Sequence, residues 1–491
     1  MSLDPLLLVP AHVLLDRLGH GEASAVELTE AALARIEALD PHLNAVVTRD
    51  AIGARAAARE SDARRAAGQA GPLEGLPITI KDAFAVKGLR TTGGVPALSA
   101  YVPEQDAAAV ARLRGAGAII LGKTNVPPYS GDFVTDNPIF GRTSNPWDLR
   151  RSPGGSSGGA AAAVACGLSA FELGSDLGGS IRWPAHACGL FGLKTSYGTV
   201  PLAGIVPPAH DRLPELDLWA IGPLARSARD LELVLDVLAP AGDRRGAFTL
   251  DLPEPRQRDA KGLSIALWDA DGFAPVDSAV AHAISVAAGR LAEAGAVVNL
   301  ARPAVSLAEC YEIYAILNAA QFTAEVPDRL RLRLASRIDE FAPDDISHAA
   351  LQARGAGLSF HDWLLMTARR QAMMRAWQRF FADYDAILLP PAPVGAVPHP
   401  GTGELASRTL DVDGMARPWL DFLLWSSLAS LAHLPAAVAP VERGPDGLPR
   451  GVQIVCAEGN DRMAVAIAAV LEQRGSAFVP PPLATEAVLT F

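Results

Sequence analysis

Hydrophobic and polar positions near the start of the chain follow a helical period. Ser24 and Glu27 have the spacing of a capping box, and the hydrophobic side chains that follow share one helical stripe: Leu28, Ala32, Ile36 and Leu39. Because Asp40-Pro41 interrupts this stripe, the pattern predicts a packing helix that ends there. The Ala- and Arg-rich segment Asp50–Ala70 predicts a second helix.

Short apolar runs then alternate with helical patterns along the remainder of the chain. Glycine and proline residues over Gly71–Pro77 lead into a predicted strand at Ile78–Ile80, which leaves Lys81 at its end. The other predicted strands are Ala118–Leu121, Leu263–Trp268, Ala296–Leu300, Ala386–Leu389, Ala436–Ala439 and Gly451–Cys456. The predicted helices are Ala107–Arg114, Ser278–Ala294, most of 305–380, and a last helix capped by Asp461. This alternation is typical of an α/β fold.

Composition narrows the class of protein. With 491 residues, of which 49% are hydrophobic and 20% charged, the chain can bury a large core, which excludes disorder over most of its length. No repeat or linker divides the sequence, so we predict a single large domain. The net charge of −11 at pH 7 argues against a nucleic-acid partner, because nucleic-acid binding surfaces gather Lys and Arg.

Cysteine usage and hydrophobic stretches bear on the compartment. The four cysteines are Cys166, Cys188, Cys310 and Cys456. They have no CxxC spacing, so they indicate neither a disulfide framework nor a zinc cluster. The N-terminus lacks the pattern of a secretory signal, so we predict a cytoplasmic protein. The charge-free stretch Phe422–Val441 contains Pro435 and Pro440, which favours a buried helix followed by a buried strand over a membrane span.

Two glycine-rich serine clusters carry the candidate chemistry. They are Ser152-Pro-Gly-Gly-Ser156-Ser157-Gly-Gly159 and Gly174-Ser-Asp176-Leu-Gly-Gly179-Ser180-Ile-Arg182-Trp-Pro184. Either cluster alone is more often a plain chain reversal. Together with Gly75-Leu-Pro77-Ile-Thr-Ile-Lys81-Asp82, however, they combine a lysine and several serines in one pattern.

These three segments, in this order and with Ser156 and Ser180 24 positions apart, resemble the amidase signature family. The resemblance is to its stand-alone bacterial amidases. It spans roughly 71–229, with further matches in Gly122-Lys-Thr-Asn125, Asn145-Pro-Trp-Asp148 and Cys188-Gly-Leu-Phe-Gly-Leu-Lys194, and it returns weakly at Gly451-Val-Gln-Ile454 and Asp461-Arg462.

The resemblance implies an α/β fold in which a mixed central β-sheet is covered by helices on both faces. It implies one amidase domain over 1–491. In this domain we expect N-terminal helices over 1–70, a signature core over 71–230, a variable and mostly helical region over 231–380, and C-terminal strands and a helix over 381–491.

The resemblance also implies a Ser–cis-Ser–Lys triad. Ser180 would be the nucleophile, Ser156 the bridging serine on a cis peptide after Gly155, and Lys81 the base. The oxyanion would accept hydrogen bonds from the backbone N–H groups of Leu177, Gly178, Gly179 and Ser180. The side chains expected to support these loops are Ser157, Ser175, Asp176 and Arg182.

Elementary chemistry supports a lysine in this role. A serine hydroxyl is a weak nucleophile, so a base must take its proton. A lysine can do so only when neutral, which requires burial to lower its pKa from about 10.4 to near 7. Lys81 lies at the end of an apolar strand, where such burial is expected. Strand alternation turns Asp82 to the opposite face, where its carboxylate does not hold Lys81 protonated.

Other motifs suggest different classes of protein. Gly117–Thr124 has the letters of an ATP-binding loop and would indicate an ATP-dependent amide ligase or a component of an amidotransferase, but its variable positions have the pattern of a strand. Gly155–Gly159 fits the GxSxG elbow of an α/β-hydrolase-type esterase, with Ser157 as nucleophile and His399 or His433 as base. A metal hydrolase or a non-enzymatic binding protein is a further alternative, although the histidines show no metal-binding grouping.

Members of this family cleave amides, anilides, carbamates and esters, so we expect hydrolysis of a small-molecule amide, carbamate or ester without a cofactor or metal ion. The segment Asn125–Phe140 looks closer to stand-alone amidases and fatty-acid amide hydrolases than to the amidotransferases that act on aminoacyl-tRNA. Candidate substrate-binding residues are Tyr129, Ser130, Gly131, Phe133, Ile205 and Trp425, with Trp419 and Phe422 as further aromatic candidates. They predict a neutral, fairly apolar substrate. We expect a monomer or a homodimer.

Overall fold

The computed structural model describes residues 5–206, 216–245, 247–324, 326–401, 403 and 405–485. Its α-helices are α1 (Ala11–His20), α2 (Ala25–Leu43), α3 (Ala51–Ala66), α4 (Ala108–Gly115), α5 (Gly158–Ala165), α6 (Arg182–Cys188), α7 (Ala228–Leu238), α8 (Ser278–Glu293), α9 (Leu307–Thr323), α10 (Asp328–Ala335), α11 (His348–Ala356), α12 (Phe360–Phe380), α13 (Phe422–Leu431), α14 (Asp461–Gln473) and α15 (Pro482–Thr485).

The strands are β1 (Val46–Arg49), β2 (Pro77–Lys81), β3 (Ile119–Thr124), β4 (Glu172–Asp176), β5 (Phe191–Lys194), β6 (Ala220–Ala225), β7 (Asp243–Arg245), β8 (Phe248–Leu250), β9 (Ser264–Leu267), β10 (Val297–Leu300), β11 (Ala386–Leu389), β12 (Thr409–Val412), β13 (Met415–Pro418), β14 (Ala436–Arg443) and β15 (Pro449–Val455). Among the described residues, eleven of them form one sheet in the order β1-β3-β2-β4-β6-β5-β14-β15-β11-β9-β10. Parallel pairs such as β2 with β4 and antiparallel pairs such as β4 with β6 make this sheet mixed.

Alternating side chains of the sheet enter two different hydrophobic cores. In β11, Ala386 and Leu388 belong to one core, while Ile387 and Leu389 belong to the other. Helices including α2, α7, α8 and α14 cover the first core, and helices including α9, α12 and α13 cover the second. The expected α/β fold, with a mixed sheet covered by helices on both faces, is therefore confirmed.

Several predicted elements are confirmed with small shifts in their ends. The predicted strand at Ile78–Ile80 lies within β2, and the predicted strand Ala386–Leu389 coincides with β11. The stretch Phe422–Val441 forms α13 and most of β14. None of the helices in the described ranges is both long and apolar enough to cross a membrane. Residues 1–4 and 486–491 of the predicted domain lie outside the described residues.

Two predicted helix boundaries are wrong. Ser24 and Glu27 form the capping box, but α2 continues through Pro41 to Leu43, and the Asp40 carboxylate holds the chain after it by accepting the N–H groups of Ala45 and Val46. Proline is tolerated here because its φ is helical and it removes only one hydrogen bond in the last turn.

Asp461 is not the cap of α14. Asn460 occupies that position, and Asp461 is the first residue of the helix. Its carboxylate instead accepts hydrogen bonds from the N–H and the hydroxyl of Ser196, at 2.8 and 2.6 Å, because the side chain is buried against the segment after β5.

The N-terminal region also contains β1, a strand too short to be recognised without its partner β3.

Candidate active site

Strand β2 directs Lys81 into a cluster of serine hydroxyls. Ile78 and Ile80 point into the first core, so strand alternation turns Lys81 to the other face of the sheet. There Lys81 Nζ lies 2.7 Å from Ser156 Oγ, and it also lies within hydrogen-bond distance of two other serine hydroxyls, Ser157 Oγ (2.9 Å) and Ser175 Oγ (3.0 Å). The structure thus brings together Lys81 and both serine clusters.

Asp82 lies on the opposite side of the strand from Lys81, as strand alternation predicts. Its carboxylate accepts a hydrogen bond from the Thr92 N–H at 3.0 Å and forms an ion pair with Lys123 at 3.4 Å. Asp82 is therefore paired with a different lysine and does not hold a proton on Lys81.

Burial lowers the pKa of Lys81 to about 7, although the charges of Asp176 and Glu172 act in the opposite direction. Two features keep those opposing charges weak. Burial raises the pKa of Glu172 to about 8, so this carboxyl is largely neutral at pH 7. Asp176 forms a buried ion pair with Arg182. In the described part of the chain Lys81 has no carboxylate as a direct partner, so the neutral amine is accessible near pH 7.

The loop that carries Ser156 is packed tightly on the segment before it. The Gly155–Ser156 peptide bond is cis, as the resemblance implies. A Cβ on Gly155 would lie 2.6 Å from the Asp132 carbonyl oxygen, so only glycine fits there. Thr135 joins the two segments, because its hydroxyl donates to the Gly154 carbonyl at 2.9 Å and accepts the Gly158 N–H at 3.1 Å.

Ser180 lies in the turn between β4 and α6, next to the Ser156 loop. The Ser157 N–H donates to the Ser180 carbonyl at 3.2 Å, which links the two serine segments. Ser156 is fully buried, whereas Ser180 is 8% exposed. Of the two, Ser180 is the serine that a substrate can reach.

A buried ion pair holds the Ser180 turn. Arg182 donates to Asp176 through Nη2 (2.7 Å) and Nε (3.0 Å), and both side chains are fully buried. Asp176 also accepts the N–H groups of Gly179 and Ile181. Burial alone would raise the pKa of Asp176, but the Arg182 guanidinium lowers it to about 2. The two residues form a buried pair, which excludes the alternative of an ordinary surface ion pair.

We expect Asp176→Asn to lower the free energy of unfolding by about 3–5 kcal/mol, because it leaves the buried Arg182 guanidinium without a counter-charge. Urea unfolding of the purified protein measures this change. Glu30→Gln is the matched control, because it breaks an exposed pair with Arg55 and should change stability little. Equal stability of Asp176→Asn and Glu30→Gln would contradict the assignment.

The Ser180 turn offers fewer free donors than the sequence suggests. Gly179 donates its N–H to Asp176 at 2.9 Å, so this group is already used and the expectation for Gly179 as an oxyanion donor needs correction. The carbonyl of the same peptide, on Gly178, accepts from Ser426 Oγ at 2.8 Å. No hydrogen bond among the described residues uses the N–H groups of Leu177, Gly178 or Ser180, which leaves them as donors.

The segment 129–134 lies against the serine loop. Tyr129 is half-exposed, and it and Ser130 have positive φ angles of 57° and 54°, ahead of Gly131. Phe133 is nearly buried and stacks on Phe422 with ring centroids 5.0 Å apart.

Ile205 and Trp425 lie elsewhere. Ile205 bridges to Phe84, three residues after Lys81, and packs against the first core. Trp425 is fully buried, packs on Trp268 and donates its indole N–H to the Ala274 carbonyl. The expectation that Trp425 lines a pocket is therefore wrong, because the second core encloses its side chain and the indole N–H is already bonded there.

The geometry does not support the alternative motifs. Gly117–Thr124 contains β3 rather than a phosphate-binding loop, and Lys123 is fully buried. Ser157 follows a loop instead of a buried strand. His433 Nε2 contacts Arg370 and the Asp217 carbonyl, whereas the Ser157 hydroxyl contacts Lys81 Nζ and the Ser175 carbonyl, and no hydrogen bond in the described ranges joins it to His433 or His399.

Sequence reasoning missed four residues that contact the two serine segments. Thr135 bridges the glycine loop, Ser426 on α13 fixes the Gly178 peptide, and Leu423 and Tyr314 pack against Gly178. Thr135 lies in a loop that the sequence marks only as polar. No local signal identifies the other three, because they approach from helices more than a hundred residues away along the chain.

Comparisons with known proteins show the family of the chain. The sequence profile of the Amidase family matches residues 27–465, so the chain belongs to the amidase family. A bacterial aryl acylamidase of the amidase signature enzymes has a similar fold, with a TM-score of 0.84 and 27% identity over 99% of this chain and all of the other.

Two curated relatives differ in their stated activity. One, from Roseiflexus castenholzii, is a component of the glutamyl-tRNA(Gln) amidotransferase and is 39% identical over 90% of each chain. The indoleacetamide hydrolase of Bradyrhizobium diazoefficiens is 34% identical over 92% of this chain and 84% of the other. The comparisons therefore include both amidotransferase components and hydrolases, and they do not support the separation expected from Asn125–Phe140.

Proposed function

We propose that the protein hydrolyses the C–N bond of a carboxylic amide through an acyl-enzyme on Ser180, with Ser156 and Lys81 relaying the proton. The observation that carries this proposal is the 2.7 Å contact between a fully buried Lys81 Nζ and Ser156 Oγ. Because burial lowers the pKa of Lys81 to about 7, a large share of the amine is uncharged at pH 7 and can accept a proton.

In the first half of the reaction Ser180 attacks the carbonyl carbon. Its proton passes to Ser156 Oγ while the proton of Ser156 passes to Lys81 Nζ. The carbonyl oxygen becomes negatively charged and accepts hydrogen bonds from the free N–H groups of the Ser180 turn, chiefly those of Gly178 and Ser180. The proton then returns through Ser156 to the leaving nitrogen, the C–N bond breaks, and the amine departs.

In the second half water attacks the acyl-enzyme along the same path. The relay through Ser156 takes a proton from the water, and Ser180 regains its proton when the carboxylic acid leaves. Ser157 and Ser175, which also contact Lys81 Nζ, hold the amine in the orientation needed for this relay.

The surroundings of Gly178 favour a neutral, rather apolar substrate. Leu423 and Tyr314 are buried against this glycine, and Phe133, Phe422 and Trp183 form an aromatic group near the Ser156 loop. The charged side chains Asp176 and Arg182 bind each other and are not available to a charged substrate. These apolar surroundings favour aryl or alkyl amides, with carbamates and esters as further substrates.

The amidotransferase role is the second candidate, because a relative 39% identical is a component of the glutamyl-tRNA(Gln) amidotransferase. Such a role would require the site to release ammonia from an amide donor and to work with a partner. The net charge of −11 speaks against a large tRNA-binding surface on this chain itself.

A substrate panel with the purified chain alone, without ATP or magnesium, tests the proposal. We expect indoleacetamide, an anilide, an aryl carbamate and an aryl ester to be hydrolysed with kcat/KM about 100-fold or more above that for glutamine, because an unpaired buried charge is strongly unfavourable. Release of ammonia, amine or alcohol is measured. A preference for glutamine would overturn the proposal of an apolar substrate and favour the amidotransferase role.

A further inference from the structure

Helix α9 carries a hydroxyl that the mechanism above does not use. Tyr314 is fully buried, and its Oη has no hydrogen-bond partner among the described residues. A buried polar group without a partner is unfavourable, and a phenylalanine would fill the same space without it. Packing therefore accounts for the ring of Tyr314 but not for its hydroxyl.

The Tyr314 hydroxyl lies directly against the Ser180 turn. A Cβ placed on Gly178 would lie 2.8 Å from Tyr314 Oη and 2.5 Å from Leu423 Cδ2. Leu423 and Tyr314 therefore cover the face of Gly178 from which a side chain would project. The charges of Asp176 and Arg182 also act on the Tyr314 hydroxyl, consistent with a position close to the base of this turn.

Gly178 belongs to the turn whose free backbone N–H groups are the proposed oxyanion donors, and the Tyr314 hydroxyl lies beside this glycine. The N–H of Gly179 is used by Asp176, whereas the N–H of Gly178 is free in the described structure. We propose that Tyr314 is a catalytic residue whose hydroxyl donates a hydrogen bond to the substrate carbonyl oxygen as this oxygen becomes negatively charged. The inference rests on the proposed function, since it requires an acyl group on Ser180.

The physical chemistry of the side chain suits a donor. Burial raises the pKa of Tyr314, and the charge of Asp176 raises it further, so the phenol keeps its proton at neutral pH. The ring is held by the second core, so little reorganisation accompanies the reaction. A donor fixed in this way gains more from the charged oxygen of the transition state than from the neutral carbonyl of the substrate.

Tyr314→Phe tests the role, because it removes the hydroxyl and keeps the ring. We expect kcat for amide hydrolysis to fall by about 100-fold with KM little changed, while Tm stays the same or rises. Tyr311→Phe is the matched control, since Tyr311 lies on the same helix, is nearly buried and has its hydroxyl 3.5 Å from His348 Nδ1. This control should keep the wild-type kcat.

Titration with a fluorophosphonate, which reacts with an activated serine, counts the folded active sites in every preparation and normalises each kcat. A kcat for Tyr314→Phe equal to that of Tyr311→Phe would overturn the inference, and so would a change confined to KM. Wild-type protein that is not labelled on Ser180 would overturn the proposed function itself. The two failures are therefore distinguishable.

Discussion

Ser180→Ala should lower kcat for amide hydrolysis by at least about 10⁴-fold, the largest effect expected of any single substitution. Ser156 cannot replace Ser180 as the nucleophile, because its side chain is fully buried. A fluorophosphonate should add one adduct to the wild-type protein and none to Ser180→Ala, as measured by intact mass. Peptide mapping should place the adduct on Ser180.

The control for this experiment is Ser427→Ala. Ser427 is a fully buried serine whose hydroxyl donates to the Leu424 carbonyl within α13, so its loss should leave both activity and labelling unchanged. An adduct on Ser157 would contradict the proposed mechanism and favour the esterase alternative. Labelling of Ser180→Ala to the wild-type extent would remove Ser180 from the mechanism altogether.

Lys81→Met should lower kcat by about 10²–10⁴-fold, the usual contribution of a general base. In the wild-type protein the base must be neutral, and burial lowers the pKa of Lys81 to about 7. The value of kcat/KM should therefore fall about tenfold for each pH unit below 7 and level off above it. The ascending limb should be missing from the residual activity of Lys81→Met.

The same substitution should stabilise the protein. The pKa of Lys81 is lower in the folded than in the unfolded chain, so burying the ammonium lowers the free energy of unfolding. This penalty has its full size below about pH 7 and disappears as the pH rises towards 10.5. We expect Lys81→Met to raise the free energy of unfolding at pH 7 by about 1–3 kcal/mol, since lost hydrogen bonds offset part of the gain. Urea unfolding at pH 7 and pH 10 should show this gain shrink.

Lys194→Met is the matched control for the pH profile of Lys81. Burial also lowers the pKa of Lys194 to about 7, but its Nζ donates to the carbonyls of Thr195 and Leu434 and to no serine among the described residues. We expect Lys194→Met to keep the ascending limb of kcat/KM. Loss of this limb in Lys194→Met alone would show that Lys81 is not the base.

Much of the site follows from local sequence, since its chemistry depends on strand alternation and on glycine-rich turns. The end of an apolar strand places Lys81, and alternation separates it from Asp82. Trp425 shows the limit of such reasoning, because an aromatic residue in a helical pattern can face either a pocket or a core. Only the packing of α13 against Trp268 decides which.

Gly179 shows the same limit within the motif itself. The family resemblance implies four backbone donors in the Ser180 turn, but the Asp176 carboxylate accepts the N–H of Gly179. Whether a backbone group is free depends on where a nearby side chain turns, and that choice is made by the buried contact of Asp176 with Arg182.

The sequence by itself determined the α/β fold and the three segments that supply lysine and serines, because these depend on hydrophobic period, turn residues and order along the chain. The tertiary structure alone decided what surrounds those segments. Leu423, Ser426 and Tyr314 meet Gly178 from α9 and α13, across more than 130 residues of chain. Their contacts are selected by the shape of the second core and have no local period or spacing.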